Sequence, residues 1–422
     1  RRNRSDYAFG LTMETRSESY DVVVIGGGMV GASLACALGA TGLRIAVVEA
    51  VPLSAATQPS YDDRTIALAY GSRRVFETIG VWHAIDAGGV TPIERIHVSD
   101  RGHFGVTRLA ARDANLPALG YVVENRVLGA ALLSVLQASS AIDWICPAAM
   151  ESISIEPAAA SVTIRAGEAT RTLTAPLVVA ADGAHSTVRS AVGIDAERTE
   201  YDQSAVVTNV TASRPANNTA YERFTSTGPL ALLPMSKNRY AVVWSARRAQ
   251  AKELLARPDD EFLAGLQERF GGRLGEFSRL GKRAAYPLAL TKVREHARER
   301  LVLIGNAAHT VHPVAGQGFN LGLRDVAALA EVLAGAQRCG ADLGAAALLE
   351  RYARWRRRDN LVIANFTNGL IRVFSSDLFP LALARNAGLV AVDLLPGVKR
   401  GFIRVTSGMA GKLPRLARGL PL

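Results

Sequence analysis

The block Leu301 to Asp325, LVLIGNAAHTVHPVAGQGFNLGLRD, restricts the fold more than any other stretch. It reads as a buried strand that runs through a glycine-rich loop into a helix. LVLIG has the unbroken apolar character of an interior parallel strand. From Phe319 onward, Leu321, Leu323, Val326, Leu329 and Leu333 recur at three- and four-residue steps, which predicts an amphipathic helix. Between them Pro313, Gly316 and Gly318 make a tight path of exposed amides. Those amides and the positive end of the helix dipole would stabilise an anion at Gly318 to Leu321.

A second corner of this type stands near the start. Tyr20 to Ile25 is an apolar strand, Gly26, Gly28 and Gly31 follow with G-x-G-x-x-G spacing, and an alanine-rich helix comes next. Gly26 permits the turn, Gly28 lets a pyrophosphate approach the backbone, and Gly31 lets the helix pack on the strand. The strand Arg44 to Val48 then ends in Glu49, 18 residues after Gly31 and close to the offset of an acid that binds an adenosine ribose. A carboxylate there repels a 2'-phosphate, so the expected ligand is FAD or NAD rather than NADP.

A third segment, the short apolar strand Leu177 to Ala180, runs into Asp182, Gly183, Ala184, His185, Ser186, Thr187, Val188 and Arg189. With these three motifs in this order, the chain from about Tyr20 to Arg358 resembles the group A flavoprotein monooxygenases, the aromatic hydroxylases related to p-hydroxybenzoate hydroxylase. Within that family, Leu301 to Asp325 is most similar to the ubiquinone-biosynthesis hydroxylases. GNAAHTVHPVAGQGFNLGLRD resembles the branch acting on 2-polyprenyl-6-methoxyphenol, in which Asn is familiar at Asn306 although most members carry Asp.

The resemblance implies an α/β fold: a Rossmann-type FAD domain interleaved with an antiparallel-sheet substrate domain, and a helical C-terminus. It places the FAD domain in residues 20–92, 120–193 and 285–340, and the substrate domain in 93–119 and 194–284. Helices with a basic amphipathic tail fill 341–422. The expected cofactor is FAD, with molecular oxygen as co-substrate and NAD(P)H or a separate reductase as electron donor. By the same resemblance Gly26, Gly28 and Gly31 hold the pyrophosphate and Glu49 the ribose. Arg64 and Arg126 stand on the cofactor side, with ordinary surface charge as the alternative for each. Asp182 and Gly183 open the motif serving FAD and, in relatives, the passing nicotinamide. Arg189 is expected to fix its loop by pairing with a carboxylate. Asn306 reaches the flavin side chain, while Pro313, Gly316, Gly318, Asn320 and Leu321 surround the ring.

The implied chemistry is oxygen transfer from a flavin C4a-hydroperoxide to an electron-rich phenol, so the cofactor carries the hard step. The protein must then supply a dry, shaped cavity. No phenol-activating base stands out; the candidates are His312, Tyr221 and Tyr240. His309 and His312 are three apart but lack a third ligand in the pattern, so no metal is expected; loop packing suits His309, and pocket lining or a structural role suits His312. Two other functions stay open: a soluble NADPH-dependent hydroxylase of a small aromatic substrate, and a non-catalytic flavoprotein scaffold of a ubiquinone-synthesis complex.

Composition agrees with an enzyme of this size. A chain of 422 residues, 49% hydrophobic, can bury a large core. Cys36, Cys146 and Cys339 are widely spaced, which suggests neither a disulfide framework nor a zinc site and fits a reducing cytosol. No run of 18 uninterrupted apolar residues predicts a spanning helix. The first 12 residues precede Met13 and lack a signal-peptide core, so residues 1–19 are expected to be a disordered extension.

The net charge of +11 is unevenly placed. RYARWRRRD carries five arginines, Arg351, Arg354, Arg356, Arg357 and Arg358. Beyond Pro396, Lys399, Arg400, Arg404, Lys412, Arg415 and Arg418 meet no acid and are interleaved with Val398, Phe402, Ile403 and Leu416. Cations mixed with apolar anchors suit an anionic membrane surface, the alternative being a solvated helix packed on the enzyme. No nucleic-acid motif accompanies the charge. The expected partners are a polyprenylated phenol, the membrane surface and other ubiquinone-synthesis proteins. The expected location is cytoplasmic, peripheral on the inner face of the cytoplasmic membrane.

Overall fold

A computed structural model of the chain describes residues 17–52, 64–312, 316–374, 376 and 378–422. Its central sheet has six strands in the order Ala297–Arg298, Leu301–Leu303, Leu177–Ala180, Val22–Ile25, Ile45–Val48, Ile142–Ile145. All pairings are parallel except that of the first strand. Val22–Ile25, Ile45–Val48, Leu177–Ala180 and Leu301–Leu303 are buried throughout, because helices or a second sheet cover both faces; hence their unbroken apolar runs. The register sets Val178 beside both Val23 and Leu301. Three strands distant in sequence thus end side by side at Ile25, Ala180 and Leu303, and the loops that follow them open at one edge of the sheet. Ligands of such sheets bind at the carboxyl ends of the strands.

Met29–Gly39 and Gln317–Arg338 pack against one face, where Leu34, Leu38, Val326 and Leu333 share one core. The other face is covered by the small sheet Ala149–Ile155, Ala160–Ala166, Ala169–Ala175, whose Val162, Ile164 and Leu173 meet Val23, Val178 and Leu303. Ser17–Ser19 adds to this sheet in parallel, and Arg171 grips the Glu18 carboxylate through Nε at 3.1 Å and Nη2 at 2.7 Å. Residues 17–19, expected to belong to a disordered extension, are a strand, and residues 1–16 lie outside the described ones.

A nine-stranded sheet forms the second layer, with Arg95–Asp100, Val106–Ala110, Ala196–Ala212, Thr219–Thr225, Gly228–Pro234, Arg239–Arg247 and Ala284–Val293 as its main strands. Its pairings are antiparallel except that of Arg95–Asp100 with Thr219–Thr225. Ala284–Val293 belongs here, so the chain returns to the dinucleotide sheet only at Ala297. Thr65–Ala69, Gly120–Glu124 and Val90–Ile93 make a three-stranded bridge between the layers.

Ala346–Phe374, Phe379–Leu394 and Pro396–Thr406 close the chain. No single described helix is long and apolar enough to cross a membrane; the last two form an apolar pair bent by 97°. Basic residues beyond Thr406 do not continue that helix. The chain turns back instead, Gly71 N donates to Ser407 O at 2.9 Å, and Leu416 and Ala417 enter the main core. Nor is the arginine run wholly surface charge, since Arg356 is fully buried.

Candidate functional site

A cavity of about 1160 Å³ begins at the carboxyl edge of the parallel sheet and ends under the nine-stranded one. Gly26, Gly28, Glu49, Arg64, Asp182, Gly183, Asn306, Gly316, Gly318 and Asn320 all line it. At its near end the chain leaves no room for side chains. A Cβ at Gly26, where φ is +102°, would lie 2.6 Å from the Ala181 carbonyl, and one at Gly31 would lie 2.0 Å from the Gly26 oxygen. The turn is closed tightly enough for its amides to face an anion. The Glu49 carboxylate accepts Gly27 N–H at 2.7 Å and Val51 N–H at 2.8 Å, which spends one acceptor site on each oxygen and leaves further lone pairs for a ribose.

Asp182 performs a capping task with one oxygen. Its Oδ2 accepts from Thr187 N, Thr187 Oγ1 and Val188 N at 2.7 to 3.1 Å, while Oδ1 is buried with no hydrogen-bond partner among the described residues. An orphaned buried oxygen in a cavity wall is an acceptor open to a ligand hydroxyl. Arg189 does hold the loop, but through carbonyls rather than the expected carboxylate, donating to Ala184 O and to Ala307 O at 3.0 and 2.8 Å. It thereby ties the Asp182 loop to the Asn306 loop. Asn306 is exposed to the cavity.

The third corner opens the 22-residue helix Gln317–Arg338, whose first turn has no acidic residue and no side-chain cap. The positive end of its dipole favours an anionic ring edge. Asn320 serves this corner as a staple. Its Oδ1 accepts from Ala69 N and Ser72 Oγ, and its Nδ2 donates to Ala67 O and Gly316 O, all within 2.9 Å, so the amide's donors and oxygen lone pairs are committed to protein. Leu321 is buried and is not among the lining residues, and Pro313 lies outside the described residues. Arg64 lies 4.7 Å over the Tyr286 ring in the wall. Arg126 is not among the lining residues either; at the start of helix Asn125–Ala138 its guanidinium pairs with the adjacent Glu124.

Behind the cavity, Asp325 organises the loop. It accepts from Gly305 N at 3.0 Å and Arg356 Nε at 2.7 Å, and lies 2.6 Å from His309 Nε2. Burial alone would push its carboxyl up, but His309 and Arg356 outweigh this and hold it well below the usual carboxylate range. Arg356 also pairs with Asp359, which holds Arg324 at 2.8 Å.

The three suggested bases fare poorly in this geometry. Tyr240 is fully buried away from the lining, its hydroxyl donating toward Ala216 O at 3.2 Å. His312 is 1% exposed, lies edge-on to Tyr201 and 3.3 Å from Gln203 Oε1, and does not line the cavity. Burial pulls its pKa down to about 4. Tyr221 does line the cavity, but burial raises its phenol pKa, which leaves it a neutral hydroxyl near neutral pH. A residue that the sequence reading passed over, Glu222, lines the cavity beside it, and burial pushes its carboxyl up to about 7. Its signal was present in TAYERFT, where Ala220, Glu222 and Phe224 alternate onto one face of the strand.

Residues 19–362 match the FAD binding domain family. The ubiquinone hydroxylase UbiL of Rhodospirillum rubrum is 42% identical, over 95% of this chain and 93% of that protein. The 3-demethoxyubiquinol 3-hydroxylase of Escherichia coli is 33% identical, over 92% of this chain and 98% of that protein. Among solved structures, p-nitrophenol 4-monooxygenase PnpA from Pseudomonas putida DLL-E4 has the same fold, with a TM-score of 0.77 at 20% identity over 94% of this chain and 99% of the other.

Proposed function

Because the chain belongs to the family of FAD-dependent hydroxylases of ubiquinone biosynthesis, we propose that it hydroxylates the ring of a polyprenylated phenol of the 2-polyprenyl-6-methoxyphenol type. One observation carries this reading: the dinucleotide cradle and an apolar compartment are the two ends of one cavity. A cofactor laid in the cradle would present its ring to a substrate held in the compartment. When bound and reduced, FAD supplies an electrophilic oxygen derived from molecular oxygen.

The chain's own residues then have separate tasks. Gly26 and Gly28 admit the pyrophosphate while Gly31, which does not line the cavity, lets the helix close on that turn; Glu49 takes the ribose, and Asp182 Oδ1 and Asn306 the hydroxyls between ribose and ring. The amides at the start of Gln317–Arg338 favour the anionic reduced state. Phe366, Leu370, Phe374, Leu389, Val392 and Phe402, contributed by the three C-terminal helices, exclude water and hold the prenyl chain. Each buried methylene would contribute about 0.8 kcal/mol.

The same helices would bring the enzyme to the lipid. Leu378, Phe379, Leu394, Leu395 and Val398 are 48 to 77% exposed, close in sequence to the exposed Arg400, whereas Lys399 does meet acid and is held by Asp393 at 3.4 Å and Asp113 at 4.0 Å. Apolar anchors beside cations suit an anionic membrane surface, each cation there contributing about 1 kcal/mol. A polyprenylated substrate resident in that membrane could enter between these helices. We propose on this basis that it is a peripheral enzyme at the inner face of the cytoplasmic membrane.

Lipid extracts from cells lacking this protein test the proposal. Accumulation of 2-polyprenyl-6-methoxyphenol is expected. A precursor blocked at another carbon would reassign the ring position, and an unchanged quinone profile would overturn the function.

A further inference from the structure

Glu222 stands where the chemistry of a neutral lipid would place no charge. Its strand Thr219–Thr225 pairs with Arg95–Asp100 and Gly228–Pro234, and the register aligns Val98, Glu222, Ala231 and Val243 in one row across the sheet. All four line the cavity. Around them the wall is Ile96, Ala220, Phe224 and Leu233, so Glu222 is the one charged side chain that these four strands turn toward the cavity. Phe224 stacks on Phe374 at 3.7 Å, which places the row opposite the helices proposed to hold the prenyl chain.

No hydrogen bond or ion pair engages the Glu222 carboxyl among the described residues. The one other carboxylate on these four strands is committed. Asp100, one pleat further on the same face, accepts from Arg385 Nε at 2.8 Å and Asn386 Nδ2 at 2.9 Å. Arg95, His97 and Arg223 alternate onto the opposite face. Burial alone accounts for the raised carboxyl, whose remaining exposed surface is cavity wall. Holding an unpaired carboxyl in an apolar wall costs stability, and such groups persist where they are used.

We propose that Glu222 is a catalytic residue that accepts the proton of the substrate's phenolic hydroxyl, and so orients the ring as well as activating it. The inference rests on the phenol-hydroxylase reading above. In this step the carboxylate oxygen forms an O–H bond as the phenol O–H breaks, giving a phenolate and neutral Glu222. Once the ring carbon has gained oxygen and lost its hydrogen as a proton to solvent, Glu222 returns its proton to the phenolic oxygen. The ionised ring is the stronger nucleophile, and a base with a pKa near the working pH is suited to the transfer.

Flavin-loaded wild type, Glu222→Gln and Glu222→Asp should be compared in two ways. The first is equilibrium binding of a short-chain prenylphenol and of its methyl ether across pH 5.5 to 8.5, a range chosen about the value expected for Glu222. Wild type should bind the phenol more tightly as pH rises through about 7, because the ionised carboxylate accepts the stronger hydrogen bond. Glu222→Gln should bind it about tenfold more weakly with no pH trend, and the ether should not distinguish the proteins. The second is turnover: kcat should fall about 10²- to 10⁴-fold in Glu222→Gln and recover in part in Glu222→Asp, with FAD affinity unchanged. Phenol binding and kcat in Glu222→Gln that match wild type at every pH would overturn the role. A wild type that makes no hydroxylated product would instead count against the proposed function, while the binding comparison would still decide whether Glu222 meets the hydroxyl.

Discussion

Gly31→Ala should cost the protein its flavin before it costs the fold. The added Cβ would sit 2.0 Å from Gly26 O, whereas real Cβ atoms essentially never approach within 3.0 Å, so helix Met29–Gly39 must retreat by at least 1.0 Å. Ala181 Cβ, at 3.2 Å, blocks a sideways escape. Amide contacts to phosphate at about 2.9 Å would open to about 3.9 Å and cease to be hydrogen bonds. Each bond to a charged group contributes about 1.5–3 kcal/mol, so losing two weakens FAD by about 3–6 kcal/mol, or roughly 10²- to 10⁴-fold in Kd. Overpacking should lower the stability of the flavin-free protein by only about 1–3 kcal/mol. Flavin fluorescence titration measures the first quantity and urea unfolding of the flavin-free protein the second. A folded variant whose FAD Kd stays within about threefold of wild type would refute the cradle argument.

Asp325→Asn leaves Arg356 buried beside a neutral amide and should lower stability by about 3–5 kcal/mol in urea unfolding; a loss below about 1 kcal/mol would show that the pair is not the hub described. Because burial depresses His312 to about 4, the unfolded chain takes up a proton that the folded chain refuses as pH falls through 6.5. Stability from this group is therefore present at neutral pH and lost on acidification, by about 2 kcal/mol between pH 6.5 and 5, and urea unfolding of His312→Gln should show a pH slope reduced by that amount. Replacing Leu378, Phe379 and Leu394 together by Ser should weaken partition onto anionic vesicles at least about tenfold without changing FAD affinity, and unchanged sedimentation with vesicles would remove the proposed lipid contact.

What could be read from the sequence was local. Each corner motif is a few consecutive residues whose spacing alone implies strand, tight turn and helix, and Gly26, Asp182 and Gly316 all meet at the cavity. Relations set by distant pairing were hidden. Arg356 sits in a run of arginines that reads as surface charge, although Tyr352, Arg356 and Asn360 recur every four residues on the buried face of their helix. Asn320 resembled a ring contact because three of its four staple partners lie some 250 residues away in sequence. Glu222 looked like an ordinary polar position of a half-exposed strand. Only the register with Val98 and Ala231 turns that face toward an interior cavity, where its lack of a partner acquires meaning. The basic tail misled for a related reason: Leu416 has the company of a lipid anchor in sequence but a core position in the fold.

The most direct test of the central claim is a single turnover of the flavin-loaded wild type, reduced and then exposed to isotopically labelled molecular oxygen with a short-chain 2-prenyl-6-methoxyphenol. A ring-hydroxylated product carrying one labelled oxygen atom, identified by mass spectrometry, is expected. Reoxidation of bound flavin in the presence of bound phenol, with no label entering the ring, would contradict the claim.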